Sequence, residues 1–189
     1  MTENDLKSVS DFLNGKQDAF IELYDSYIKP VYNFIYFKTS HKETAEDLTS
    51  QVFIKALKAL PNFKLDNKAS FAAWIFSIAR NAVTDHYRAK REFKNIDDIW
   101  DLAGDEDIER DFEFKEKSRL IEGYLKNLKV EQREIIILRV FQEMSYKEIA
   151  EIIGKNEDAC KVSFGRAIKK MKDELPLAVL ISFYLINWK

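Results

Sequence analysis

Apolar residues recur at helical spacing along the first half of the chain. Phe20, Leu23, Tyr24, Tyr27 and Ile28 follow an i, i+3, i+4 pattern that predicts one face of a helix starting near Gln17. A shorter helix precedes it and ends at Asn14-Gly15, where glycine supplies a left-handed cap. Pro30 removes a backbone donor, so a kink or a break is expected there. A third helix is predicted from about Lys42 to Leu60, with Leu48, Val52, Phe53, Ala56, Leu57 and Leu60 as its apolar stripe and Pro61-Asn62 as its end. After a polar, basic loop over residues 62–68, a fourth helix starts near Ser70 and turns Phe71, Trp74, Ile75, Ile78 and Ala82 inward. Its other side carries Arg80, Thr84, Tyr87 and Arg88. Phe76 and Tyr87 lie roughly opposite the stripe.

The pattern then changes. Residues 92–117 hold Asp97, Asp98, Asp101, Asp105, Glu106, Asp107, Glu109, Asp111, Glu113 and Glu116 with no sustained apolar period, the composition of a solvated linker. Helical spacing resumes with Leu120, Tyr124, Leu125 and Leu128, and a further helix is expected over 130–141. Ser145 and Glu148 form a capping box, Gly154 closes that short helix, and Asn156 is a good N-cap for the next. Two helices joined by a tight turn make a helix-turn-helix. The second of them carries Lys155, Lys161, Arg166, Lys169, Lys170 and Lys172, while Glu157 and Asp158 suit the positive end of its dipole. That is the charge pattern of a groove-reading helix.

The expected fold class is therefore all-α: two small helical domains joined by an acidic flexible linker, the second a helix-turn-helix. The boundaries fall at 5–91, 92–117 and 118–175, followed by an apolar tail over 176–189. The tail is shorter than the about 20 apolar residues that cross a membrane. It either packs on the protein, with the helix-turn-helix block as the expected surface, or belongs to a longer chain.

Composition narrows the function. The 189 residues suffice for one compact domain or two small ones, and 46% hydrophobic content supports a core. Only 5 Gly and 3 Pro fit long helices with few turns. A single cysteine, Cys160, excludes an intramolecular disulfide, fits a reducing cytoplasm, and is expected to be a small core-facing residue. Met1-Thr-Glu-Asn-Asp carries neither a basic segment nor an apolar run, so no signal peptide is expected. His41 and His86 stand far apart without a Cys or His cluster, which gives no basis for a metal site. There is no Gly-rich phosphate loop, nucleophile elbow or dinucleotide fingerprint, so neither enzymatic activity nor a cofactor is expected. A net charge of −2 is low for a protein that binds DNA unaided, because phosphate neutralisation supplies most non-specific affinity.

Several segments resemble the extracytoplasmic-function (ECF) group of the sigma-70 family of bacterial transcription initiation factors. Phe71, Trp74, Ile75, Ile78, Ala79 and Asn81, followed by Asp85 and Arg88, match the segment that ends region two. Ala45-Glu46-Asp47-Leu48, continuing to Val52, Phe53 and Ala56, resembles the helix that docks on the polymerase clamp. Glu148-Ile149-Ala150 and Arg166-Ala167 match the helix-turn-helix of region four. The chain departs from the family pattern at Ser163, where a basic residue is frequent, and at Ser50, where Gln is common.

The resemblance implies a factor that binds core RNA polymerase through its beta-prime clamp and beta flap and recognises promoter DNA. Asn62, Phe63, Lys64, Lys68, Arg80, Asn81, Thr84 and Arg88 would then serve the minus-ten element, with a base pocket in the loop over 62–68. Lys155, Lys161, Ser163, Arg166, Lys169 and Lys170 would serve the minus-thirty-five element. Glu46, Asp47, Ser50 and Gln51 would face polymerase, and Phe76 and Tyr87 would either stack on bases or pack on a neighbouring helix. The acidic stretch would either stay a solvated linker or thread the RNA channel. An anti-sigma protein is the implied regulatory partner, and the site of action is the cytoplasm. Two rivals share many of these features: a stand-alone helix-turn-helix regulator, and a sigma-like decoy that binds polymerase or an anti-sigma factor without initiating. If the tail packs on the second block, removing residues 176–189 lowers the unfolding midpoint or promoter activity. An unchanged Tm together with unchanged transcription rules that packing out.

Overall fold

The computed structural model describes residues 3–65, 70–89, 125 and 127–174; the acidic linker, Lys68 and the apolar tail lie outside the described residues. The first block comprises α1 (Glu3–Leu13), α2 (Ala19–Thr39), α3 (Lys42–Ala59) with a 3-10 turn (Leu60–Asn62), and α4 (Phe71–Ala89). The second comprises α5 (Val130–Ile136) with a π-helical turn (Ile137–Phe141), α6 (Tyr146–Ile153) and α7 (Glu157–Glu174). Among the described residues there is no strand.

Most helix ends follow from local chemistry. Gly15 adopts φ +94° beyond α1, and Gly154 adopts φ +77° after α6, conformations that cost an L side chain a steric penalty. The Ser145–Glu148 capping box is complete, and Asn156 Oδ1 accepts the Ala159 N–H at 2.7 Å. Ser70 caps α4 by accepting the Ala73 N–H at 3.0 Å. One cap was not foreseen. His41 Nδ1 accepts the Thr44 N–H at 3.3 Å, so an imidazole nitrogen takes the place that a Ser or Asp oxygen usually holds at the start of α3.

Pro30 does not break α2, which runs on through Thr39. An interior proline costs about 3 kcal/mol. Beyond it, Val31, Phe34, Ile35 and Phe37 are almost wholly buried, at about 1.5–3 kcal/mol each, which outweighs the lost hydrogen bond. Burial decides one open alternative and corrects one expectation. Phe76 is 1% exposed and meets Phe34 edge-on at 5.3 Å between centroids, and Tyr87 is also buried, so both pack on neighbouring helices rather than face bases. Leu57, expected in the stripe of α3, is 45% exposed.

The two helical domains that the sequence predicts are packed on one another, and their buried residues form one continuous hydrophobic cluster. Helix α4 packs along α6, and Phe37 meets Phe141 at 4.8 Å between centroids. Inside this contact Glu134 Oε1 accepts from Lys38 Nζ at 2.5 Å and from Arg80 Nε at 3.1 Å. Lys38 is 6% and Glu134 3% exposed. Farther along α4, Ser70 Oγ donates to Glu148 Oε1 at 2.7 Å, so the capping carboxylate of α6 also touches the N-terminus of α4. Two helix N-termini, each with positive partial charge, thus share one carboxylate.

Burial alone would push the Glu134 carboxyl up, but the charges and hydrogen bonds of Lys38 and Arg80 outweigh it and hold the group below the usual carboxylate range. A carboxyl with a depressed folded pKa contributes stability that is fully present above its unfolded pKa and fades as pH falls through the folded value. Glu134→Ala, which leaves two cations without their anion, is expected to cost about 3–5 kcal/mol at neutral pH. In urea titrations that deficit should shrink as the pH is lowered into the acid range; a deficit independent of pH would contradict the ionised pair.

Candidate nucleic-acid and partner-docking surfaces

Of the loop residues described, Phe63 lies against α4. Asn62 and Lys64 are exposed, while Phe63 is half-buried with its ring 5.1 Å from that of Trp74 and 6.2 Å from that of Phe71. Phe63 therefore anchors the loop to the aromatic end of α4. On α4, Arg80, Thr84 and Arg88 stand at i, i+4, i+8 and share a face, with Asn81 beside them. Asn81 and Arg88 are exposed; the Thr84 hydroxyl donates to the Arg80 carbonyl at 2.9 Å. The half-buried Arg80 side chain is engaged by Glu134.

On α7, Cys160, Ala167 and Met171 are buried, which settles Cys160 as a core residue. At 3.6 residues per turn, Lys161, Val162, Arg166, Lys169 and Lys170 occupy about half the circumference on the opposite side, and all five are exposed. Ser163 is half-buried at the edge of this arc. Lys161 is tethered locally, to Asp158 at 3.3 Å and Glu157 at 3.7 Å. Lys155, in the turn, pairs with Glu131 at 2.5 Å, and Lys170 donates to the Asn127 carbonyl. Val162 escaped the sequence reading. It is 51% exposed amid the cations, where an apolar side chain could meet a thymine methyl. Its signal in sequence was only that it falls out of phase with the buried positions of its helix.

A groove of about 750 Å³ opens between α2 and α3. Tyr24, Tyr32, Phe53, Ile54 and Leu57 supply apolar lining, with Lys29, Lys42 and Glu46 also on its walls. Tyr24 and Ile54 are 41% and 51% exposed, which with Leu57 makes an unusually apolar opening for a helical surface. Of the residues expected to face polymerase, Glu46 and Ser50 line this groove; Asp47 and Gln51 are exposed but lie outside its lining. Tyr24, Phe53 and Leu57 fall in the apolar stripes that the sequence predicts, and for them the period could not separate groove from core; Tyr32 and Ile54 belong to neither predicted stripe.

The family model for sigma-70 region 2 matches residues 23–93, and that for sigma-70 region 4 matches residues 118–171. The RNA polymerase sigma factor YlaC of Bacillus subtilis is 31% identical over 163 residues, covering 84% of this chain and 93% of that protein. The chain belongs to the ECF group of the sigma-70 family. The ECF RNA polymerase sigma factor BldN of Streptomyces coelicolor is 36% identical over 166 residues, 86% of this chain, which spans 62% of BldN's length. In fold, this sigma-family chain resembles CnrH, solved in complex with the cytosolic domain of CnrY, with a TM-score of 0.69 at 23% identity over 90% of this chain and 96% of that one. No helix among the described residues is long and apolar enough to cross a membrane.

Because Lys161 and Arg166 are exposed and Lys161 pairs only with residues of its own helix, Lys161→Ala and Arg166→Ala are expected to leave stability unchanged. Thermal unfolding checks this; a clear loss would place either side chain in the packing of α7.

Proposed function

We propose that this chain binds core RNA polymerase and directs promoter-specific initiation, with the first block reading the minus-ten element and α7 the minus-thirty-five element. The observation that carries the reading is the order of the two matched regions together with the basic arc exposed on α7. In the first block, Asn62, Lys64, Asn81 and Arg88 are exposed for contact with an extruded base and its backbone, and Arg80, Thr84 and Lys68 complete the set. In the second, Lys155, Lys161, Arg166, Lys169 and Lys170 offer phosphate and base contacts, Val162 an apolar one, and Ser163 a hydroxyl at the edge of the arc.

The groove between α2 and α3 is the docking surface for the beta-prime clamp, with Glu46 and Ser50 inside it and Asp47 and Gln51 on the adjoining exposed face. The second block docks on the beta flap. A net charge of −2 suits this division of labour: polymerase holds two modest DNA binders at fixed separation, and effective concentration supplies the rest of the affinity. An anti-sigma protein that covers both blocks would silence the factor. CnrH, with the same fold, was solved in complex with the cytosolic domain of CnrY.

Run-off transcription with bacterial core polymerase on pooled promoters is the direct test. Discrete start sites that require the chain, and that weaken at least about tenfold on Asn81→Ala or Lys161→Ala, are expected if each removes about 1.4 kcal/mol or more of contact. Ile54→Asp, placing a charge in the groove, should abolish core binding with DNA contacts intact. Core binding without transcripts would replace the initiation reading with that of a decoy, and DNA binding without polymerase would favour a stand-alone regulator.

A further inference from the structure

We propose that Lys38 and Arg80 together form a phosphate site for promoter DNA, and that Glu134 occupies it from within, so that closure of the two blocks and backbone binding exclude one another. The inference rests on the DNA-binding reading above. Lys38 ends α2 and Arg80 lies on α4, two elements of the first block that bring their cationic groups to one carboxylate oxygen. Among the described residues, Glu134 of the second block is the carboxylate that meets them. Take the second block away and two like charges face each other without an anion, with the Lys38 ammonium 5.1 Å from the centre of the Phe34 ring. Such a pair attracts any anion of the right size.

Arg80 also shares its face of α4 with Thr84 and Arg88, so a strand following that face passes the site. A phosphodiester offers the same oxygen to the same two donors as Glu134 does, and charge-assisted bonds of this kind are the strong class. The carboxylate therefore acts as a stand-in for the backbone. Opening the blocks, as polymerase must to hold two separated promoter elements, frees the site at the moment DNA is presented. The Ser70–Glu148 hydrogen bond reinforces closure at a second point without using either cation.

Three variants of the full chain separate closure from phosphate binding. Glu134→Gln removes the competing anion but keeps both cations; Lys38→Met breaks the same pair and loses one cation; Ser70→Gly breaks only the second contact, and glycine is tolerated at an N-cap. Small-angle scattering reads closure, circular dichroism verifies folding, and binding of a short single-stranded DNA oligonucleotide reads the site. All three variants are expected to expand the molecule. Glu134→Gln should bind the oligonucleotide about fivefold or more tightly than the parent, because the competent fraction rises. Its affinity should fall with salt more steeply than that of Lys38→Met, by about one released counterion. Ser70→Gly should gain affinity, and Lys38→Met should not.

Equal gains in Glu134→Gln and Lys38→Met would overturn the phosphate site while leaving the initiation reading standing if both still support run-off transcription. Folded variants with unchanged scattering would overturn the closure. Expansion without DNA binding by any form, and without run-off transcripts, would remove the phosphate assignment and the promoter reading together.

Discussion

Two helical blocks far apart in sequence are held together by a carboxylate buried between them. Glu134 takes both Lys38 and Arg80 on one oxygen, and the apolar contacts around it, Phe37 on Phe141 and α4 along α6, exclude water from the junction. Ionised carboxylates are expensive to bury unless paired, and the pairing here comes entirely from the other block. The arrangement makes a deeply buried charge in each block depend on the other. It ties the orientation of the helix-turn-helix to the state of a face on α4.

Helix α4 is the shared element. Its inner stripe, Phe71, Ile75, Phe76, Ala79, Ala82 and Val83, fills the core of the first block. Its outer residues divide between exposed Asn81 and Arg88 and the engaged Arg80. The start of the same helix holds Ser70, which caps α4 and donates to Glu148 at the start of α6. Burial alone would raise the Glu148 carboxyl, but the hydrogen bonds from Ser70 and Ser145 hold it below the usual range. Packing, capping and block-to-block contact therefore converge on one helix. The groove of α2 and α3 lies apart from this junction in its lining residues, which leaves it available for a different partner.

How much of this was legible in the chain differs by kind of feature. Caps with local signals were: Ser145 with Glu148, Gly154 and Asn156 stand where the sequence puts them, because their chemistry involves residues three or four apart. The cap from His41 was not, since histidine seldom plays that part and nothing nearby marks it. The continuity of α2 through Pro30 was missed because the burial that sustains it lies in other helices. Phe76 and Tyr87 were ambiguous for a related reason. A helix enclosed on several sides buries residues outside its main stripe, and periodicity reports only one face.

Among site residues, exposure was legible where a helix has one buried face: Lys161, Arg166, Lys169 and Lys170 oppose Cys160, Ala167 and Met171 as spacing requires. Spacing could not distinguish an apolar residue in a groove from one in the core, so Leu57 became visible as surface only in three dimensions, while Ile54 stood outside the predicted stripe. By itself the sequence determined the helical class, the positions of most helices, the capping chemistry and the membership of the sigma-70 family, all of which depend on short-range pattern or on matched segments. Tertiary structure alone decided that Lys38, Arg80 and Glu134 meet. Lys38 and Glu134 are 96 positions apart, and no local propensity specifies which buried charge will find which partner.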